Sequence, residues 1–149
     1  DVNENRLTTA KEFGATHTVT PDELPDVSAA ITEKHGFDVI LELSGNPAAF
    51  ECGWRELRRG GTLVLVGSVF PAPPVETSLE EIVRRNLTIH GIHNYTPHDL
   101  LRAVEFLTAH HDDYPFAILV SEWFPLEAAA EAFSRSQDPS RIRIGVRPG

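Results

Sequence analysis

Phe37-Asp38-Val39-Ile40-Leu41-Glu42-Leu43-Ser44-Gly45-Asn46-Pro47 is the stretch on which the fold turns. From Phe37 to Leu43 it is apolar apart from Asp38 and Glu42, which suits a strand covered on both faces, the kind found in parallel sheets. Ser44 to Pro47 end it, with Asn46 suited to cap the next helix and Pro47 in the first turn, where a missing N–H costs nothing. Phe50, Trp54 and Leu57 then line one helical face. Gly60-Gly61 lead into Thr62-Leu63-Val64-Leu65-Val66, the most continuously apolar strand and so the expected central one, which Gly67-Ser68 close. Strand, helix and strand in succession imply an alternating α/β chain.

Outward from this unit the same two periodicities take turns. Leu7, Ala10 and Phe13 have helical spacing before Gly14, which is placed to end that helix in a left-handed conformation. Thr16 to Thr20 is β-branched and predicts a short strand, and Val27, Ala30 and Ile31 give the next helix its apolar stripe up to Gly36. Downstream, Ser78 with Glu81 forms the pattern of a capping box, predicting a helix to about Asn86. Leu87 to Ile92 follows as a strand, and Thr96-Pro97 with Asp99 opens a helix carrying Leu100, Leu101, Val104 and Leu107. Phe116 to Phe124 is strand-like, Leu126 to about Ser136 an alanine-rich helix, and Arg141 to Val146 a strand.

Composition narrows the function. The chain has 149 residues, about one domain, and 41% hydrophobic content, enough for a core without disulfide staples. Its net charge of −9 repels a phosphate backbone, so no nucleic-acid partner is expected. No apolar run approaches the ~18 residues that span a bilayer, so no membrane partner is expected either. A single cysteine makes no internal bridge, and a reducing, cytoplasmic setting follows. Methionine is absent and no signal segment precedes the first helix, so the chain is expected to be part of a longer protein.

In a doubly wound parallel sheet, ligands gather beyond the carboxyl ends of the strands. The loops to watch are therefore Leu43 to Asn46, Val66 to Val69 and Ile92 to Tyr95, two of which carry a glycine that admits a ring or phosphate close to the backbone. Glycine after a strand is more often plain turn chemistry. His110-His111-Asp112-Asp113 has metal-ligand residue types, but neighbours at a helix end point apart. His90 and His93 face opposite sides of a regular strand. Cys52 has no second cysteine and no evident base, so it is expected to be a small packing residue.

Asp1-Val2-Asn3-Glu4-Asn5-Arg6-Leu7, then Asp38 to Gly45, then Arg59 to Gly67, resemble in order and spacing the zinc-dependent medium-chain alcohol dehydrogenases, among them the threonine, sorbitol and polyol dehydrogenases. The resemblance implies a partial Rossmann sheet holding strands three to six of the cofactor domain, with strands one and two outside this chain. It divides the chain into a truncated NAD(P)-binding domain, 1–115, and a return segment toward the catalytic domain, 116–149. With strand order 3-2-1-4-5-6, a gap of roughly 14 Å separates strand three from strand four, at about 4.8 Å per strand. Thr16 to Thr20 is then expected either to hang without partners or to collapse onto Phe37 to Leu43.

Carried over by position, Asp1 would accept hydrogen bonds from the adenosine ribose and favour NAD over NADP by repelling a 2′-phosphate, and Arg6 would reach the same ribose. Without the resemblance, that pair is an exposed, charged helix start. Val66, Gly67 and Ser68 would lie beside the nicotinamide, Ile92 and His93 would hold its carboxamide through backbone groups, and Leu43 and Ser44 would flank the adenosine side. Arg143 falls near a basic position that touches the pyrophosphate, with a solvent-facing strand arginine as the alternative. Glu42 matches a structural acid paired with a neighbouring loop. The family's zinc ligands and glycine-rich phosphate turn would precede Asp1, so this chain alone is expected to be inactive.

The activity implied for the complete protein is oxidation of a small-molecule alcohol, with zinc polarising the alkoxide and NAD taking hydride. A homodimer or tetramer is the family expectation, with Pro73 to Thr77 a candidate for edge pairing. Two alternatives stay open: a zinc-free reductase of the same superfamily, of the quinone or enoyl type, and a non-catalytic nucleotide-binding module.

Overall fold

A computed structural model describes residues 1–149. In chain order its elements are α1 (Glu4–Glu12), α2 (Leu24–Ile31), β1 (Phe37–Glu42), α3 (Pro47–Arg55), β2 (Leu57–Leu65), α4 (Leu79–Arg85), β3 (Thr88–Gly91), α5 (Pro97–His110), β4 (Val120–Pro125), α6 (Ala129–Arg135) and β5 (Arg143–Arg147). They fall into two compact units, one spanning Val19–Tyr95 and the other joining Asp1–Thr18 to Thr96–Gly149.

The first unit is built on a parallel sheet of order β1-β2-β3. β2 is central, as expected, and Val64 pairs with Leu41 on one side and His90 on the other. Asn46 caps α3 by accepting from the Ala48 N–H at 2.9 Å, with Pro47 leading the helix. That helix sets Phe50 and Trp54 one turn apart, their rings stacked at 6.5 Å, and Gly53 lets it close on Ile40. Phe50, Trp54, Leu57 and fully buried Leu63 form the core, with Ile40, Leu65, Val75, Ile82 and Leu87 packed against it. A fully buried side chain such as Leu63 contributes about 1.5–3 kcal/mol by leaving water, and the partly buried ones less.

Several elements depart from the sequence expectation. Thr16 to Thr20 forms no strand and joins neither sheet, so it does not collapse onto Phe37 to Leu43 as a neighbouring strand. A β-branched run has nothing to hold it extended without a neighbouring ladder. β1 is covered on one face only: Ile40 and Glu42 turn inward, whereas Val39 and Leu41 are 57% and 58% exposed. Gly60-Gly61 lie inside β2, where the register jumps from Phe37↔Leu57 to Val39↔Thr62 and Gly60 takes φ +73°. The double glycine therefore marks a bulge in the strand, not its start. α2 stops at Ile31, five residues before Gly36, and Glu33 and Lys34 both take positive φ on the way out. Half of the expected capping box forms at α4: Ser78 accepts from the Glu81 N–H at 3.1 Å, but the Glu81 carboxylate turns to Arg85 at 2.7 Å.

In the second unit, Asn3 caps α1 by accepting from the Asn5 and Arg6 N–H groups, and Gly14 follows its end at φ +89°. Phe13 stacks on Tyr114 and meets Phe116 edge-on. The capping box of α5 is complete: Asp99 N–H donates to the Thr96 hydroxyl, and its carboxylate accepts from the Thr96 N–H at 2.9 Å. Phe116–Leu119 is a 3-10 turn where a strand was expected, so β4 starts at Val120. β4 and β5 pair in parallel, and α6 covers them with Ala132, while Phe124 on β4 is buried too. Trp123 lies directly over Gly145, where any side chain would strike the indole.

Candidate functional site

Because β1, β2 and β3 run parallel, the loops that leave them collect along one rim. The Ile92 N–H donates to the Leu65 carbonyl at 2.9 Å, which ties the third loop to the second. The Val66 and Gly67 N–H groups both donate to the Glu42 carbonyl, at 2.9 and 3.0 Å, which ties the second to the first. Val66, Gly67, Ser68 and Ile92, predicted as site residues, are thus brought side by side, with His93 one residue beyond Ile92.

The two glycines of this rim serve each other. Gly45 takes φ +71°, and a methyl group built on it would come 2.4 Å from the Gly67 carbonyl oxygen. One built on Gly67 would come 2.3 Å from the Leu43 carbonyl carbon and 2.5 Å from the Gly45 nitrogen. Two uses were expected for these glycines, close approach of a ring or phosphate and plain turn chemistry, and the geometry shows backbone packing. The space beside each is filled by the neighbouring loop's own backbone.

Glu42 holds the arrangement. It is 4% exposed, and its Oε1 accepts from the Ser44 N–H and hydroxyl, both at 2.6 Å, and from the Gly45 N–H at 2.8 Å. Oε2 accepts from the Ser68 hydroxyl at 3.3 Å. Burial presses the carboxyl pKa upward, but hydrogen bonds from the Ser44 hydroxyl, the Gly45 and Ser44 N–H groups and the Ser68 hydroxyl prevail and hold it below the ordinary glutamate value. The residue is an anchored carboxylate. The sequence signal for its part was an acid in an apolar strand followed two residues later by serine; its second partner, Ser68, is distant in sequence and carried no such signal.

Asp1 and Arg6 belong to the other unit. The Asp1 carboxylate accepts from the Asn3 N–H at 2.9 Å, and the Arg6 guanidinium donates to the Pro139 carbonyl at 3.2 Å, beside the Asn3 side-chain amide on the same oxygen at 3.3 Å. Arg143 opens β5 as an exposed residue. His110 pairs with Asp113 at 2.7 Å and His111 with Asp112 at 3.3 Å, closing the end of α5. Cys52 is a free, half-buried thiol whose pKa is pushed up by burial and by the Glu56 charge. No three His, Cys, Asp or Glu side chains come together to hold a metal ion, so these residues do not fit a zinc site.

Parallel strands joined by helices, with a backbone-lined rim at their carboxyl ends, define a nucleotide-binding-type α/β domain in partial form. Residues 1–109 match the sequence profile of the zinc-binding dehydrogenases, and the chain belongs to that family. It is 38% identical over 97 residues to an L-threonine 3-dehydrogenase of Vibrio parahaemolyticus, a match covering 62% of this chain and 27% of that one. Its structure resembles an alcohol dehydrogenase of Thermotoga maritima with a TM-score of 0.91 and 27% identity, over 99% of this chain and 41% of that one. For the 2R,3R-butanediol dehydrogenase of Bacillus subtilis the figures are 0.79 and 28%, over 100% and 42%. The chain therefore spans about a quarter of the curated relative's length.

Proposed function

We propose that the rim holds the nicotinamide end of NAD, and that residues 1–149 are the later part of the cofactor-binding half of an alcohol-oxidising, zinc-dependent dehydrogenase. The observation that carries this reading is the junction of Glu42, Ser44, Gly45, Val66, Gly67 and Ser68, in which the Glu42 carboxylate and main-chain carbonyl tie two neighbouring rim loops together. Glu42 takes up the Val66 and Gly67 N–H groups, so the second loop would meet a carboxamide through its carbonyls and the Ser68 N–H rather than through all three amides. Bound NAD supplies the hydride acceptor. The chain's own residues orient the ring.

Asp1 is assigned to the adenosine ribose, with Arg6 beside it, which favours NAD over NADP. The family match ends at residue 109, which supports a boundary near 115 between the nucleotide-binding part and a return segment, 116–149. In the complete protein we assign a small-molecule alcohol substrate, zinc ligands outside these residues, a dimeric or tetrameric state and a cytoplasmic setting. No helix here is long and apolar enough to cross a membrane.

Amide NMR tests the cofactor reading at the low affinity expected of a partial site. Added NADH should shift the Val66, Gly67, Ser68, Ile92 and His93 resonances, with NADPH binding more weakly. Asp1→Asn should narrow that preference by about fivefold, the effect of roughly 1 kcal/mol between exposed charges. Shifts scattered away from the rim would reject the assignment.

A further inference from the structure

We propose that Glu42 is a positioning residue for the cofactor, whose carboxylate couples the Leu43–Asn46 loop to the Val66–Val69 loop and so sets the backbone groups offered to the nicotinamide. This rests on the reading of the rim given above. Three observations carry it. The carboxylate accepts four hydrogen bonds, three from the loop it precedes and one, from Ser68, across the gap. The main-chain carbonyl of the same residue accepts both N–H groups that open the second loop. Between these two sets of bonds, Gly45 and Gly67 are pressed into backbone contact that leaves no room for a methyl group, so a shift of either loop is felt by the other.

Only an ionised carboxylate suits this place. It is acceptor-only and offers about four lone-pair sites, matching the four donors aimed at it, whereas a glutamine amide has one acceptor oxygen and brings two N–H donors into a cluster already made of donors. Charge-assisted bonds of this kind also hold geometry more firmly than neutral ones. The part of Glu42 that fixes the second loop is therefore separable by experiment: the main-chain carbonyl survives any substitution, and the Ser68 link does not.

Amide hydrogen exchange on the chain, with Glu42→Gln and Ser68→Ala, reads this directly. In Glu42→Gln, exchange at Ser44 and Gly45 should rise, and exchange at Val66 and Gly67 should rise with it by about tenfold, as for loss of a charge-assisted bond, while Leu63 and Val64 keep their protection. Ser68→Ala should loosen Val66 and Gly67 and spare Ser44 and Gly45, and it decides the matter if Glu42→Gln does not fold. A change confined to Ser44 and Gly45, or one spread evenly along β2, overturns the proposal. As a second readout, the NADH-over-ADP-ribose preference of the wild-type chain should shrink in Glu42→Gln, with ADP-ribose binding unaltered. An unchanged preference overturns the role of Glu42 alone, whereas a wild-type rim that ignores NADH overturns the cofactor reading itself.

Discussion

Gly67 has no space for a side chain. Its added methyl would fall 2.3 Å from the Leu43 carbonyl carbon, against backbone that cannot rotate away, whereas a methyl on Gly91 meets nothing within 4 Å. Gly67→Ala should therefore lower stability by about 2–3 kcal/mol in urea unfolding, and Gly91→Ala should stay within about 0.5 kcal/mol of wild type. Glu42 adds a pH dependence with a defined sign. Its folded pKa lies below its unfolded one, so its stabilisation is complete above the ordinary glutamate value of about 4.3 and is lost as pH falls through the depressed value. The stability gap between wild type and Glu42→Gln should accordingly narrow toward acid, and a gap that widens there would contradict the anchored-carboxylate account. Much at this scale was legible. Asn46-Pro47 announced a helix start because capping is local chemistry, and Glu42 stood out as an acid in an apolar strand. That Gly45 and Gly67 face one another was not legible, since the contact joins residues far apart in sequence.

Among the elements, α4 depends on one side chain. Arg85 pairs with Glu81 at 2.7 Å, lies over the Trp54 ring at 5.7 Å, and donates to the carbonyls of Arg55 and Leu57 where α3 passes into β2. Its side chain is 15% exposed, so these contacts are sheltered from solvent. A lysine keeps the charge but not the planar fork, and Arg85→Lys should cost about 1–2 kcal/mol in the same unfolding assay. If Arg85→Lys matched wild type, the pairing with Glu81 alone would account for the residue. Element types were readable wherever a periodic run was bounded by its own caps, as for α3 and α5. They failed where a partner decides the outcome. Thr16 to Thr20 has strand residues but no adjacent ladder, and Arg58 to Gly61 carry turn residues yet stay in β2 because Phe37 and Val39 still pair on either side of the bulge.

At the scale of the whole molecule, apolar surface is unevenly spent. Val39 and Leu41 on β1, Leu43 just after it, and Leu101 and Val104 on α5 remain about half or more exposed, although α5 has an apolar stripe and a full capping box. A sequence rich enough in such residues to suggest both faces covered could not reveal which of them these 149 residues would cover. Burial depends on what packs alongside, and hydrophobic pattern states only the requirement. The two tryptophans divide along the same lines. Trp54 is 5% exposed in the core of one unit, and Trp123 is 52% exposed in the other, beneath the Arg147 guanidinium at 4.6 Å. The molecule thus carries one short-wavelength and one long-wavelength fluorophore, each reporting on its own unit. Trp123→Phe should leave a blue emission that reddens on denaturation and resists acrylamide beforehand, and Trp54→Phe a spectrum already red and readily quenched, so the melting of the two halves can be watched separately in a single cuvette.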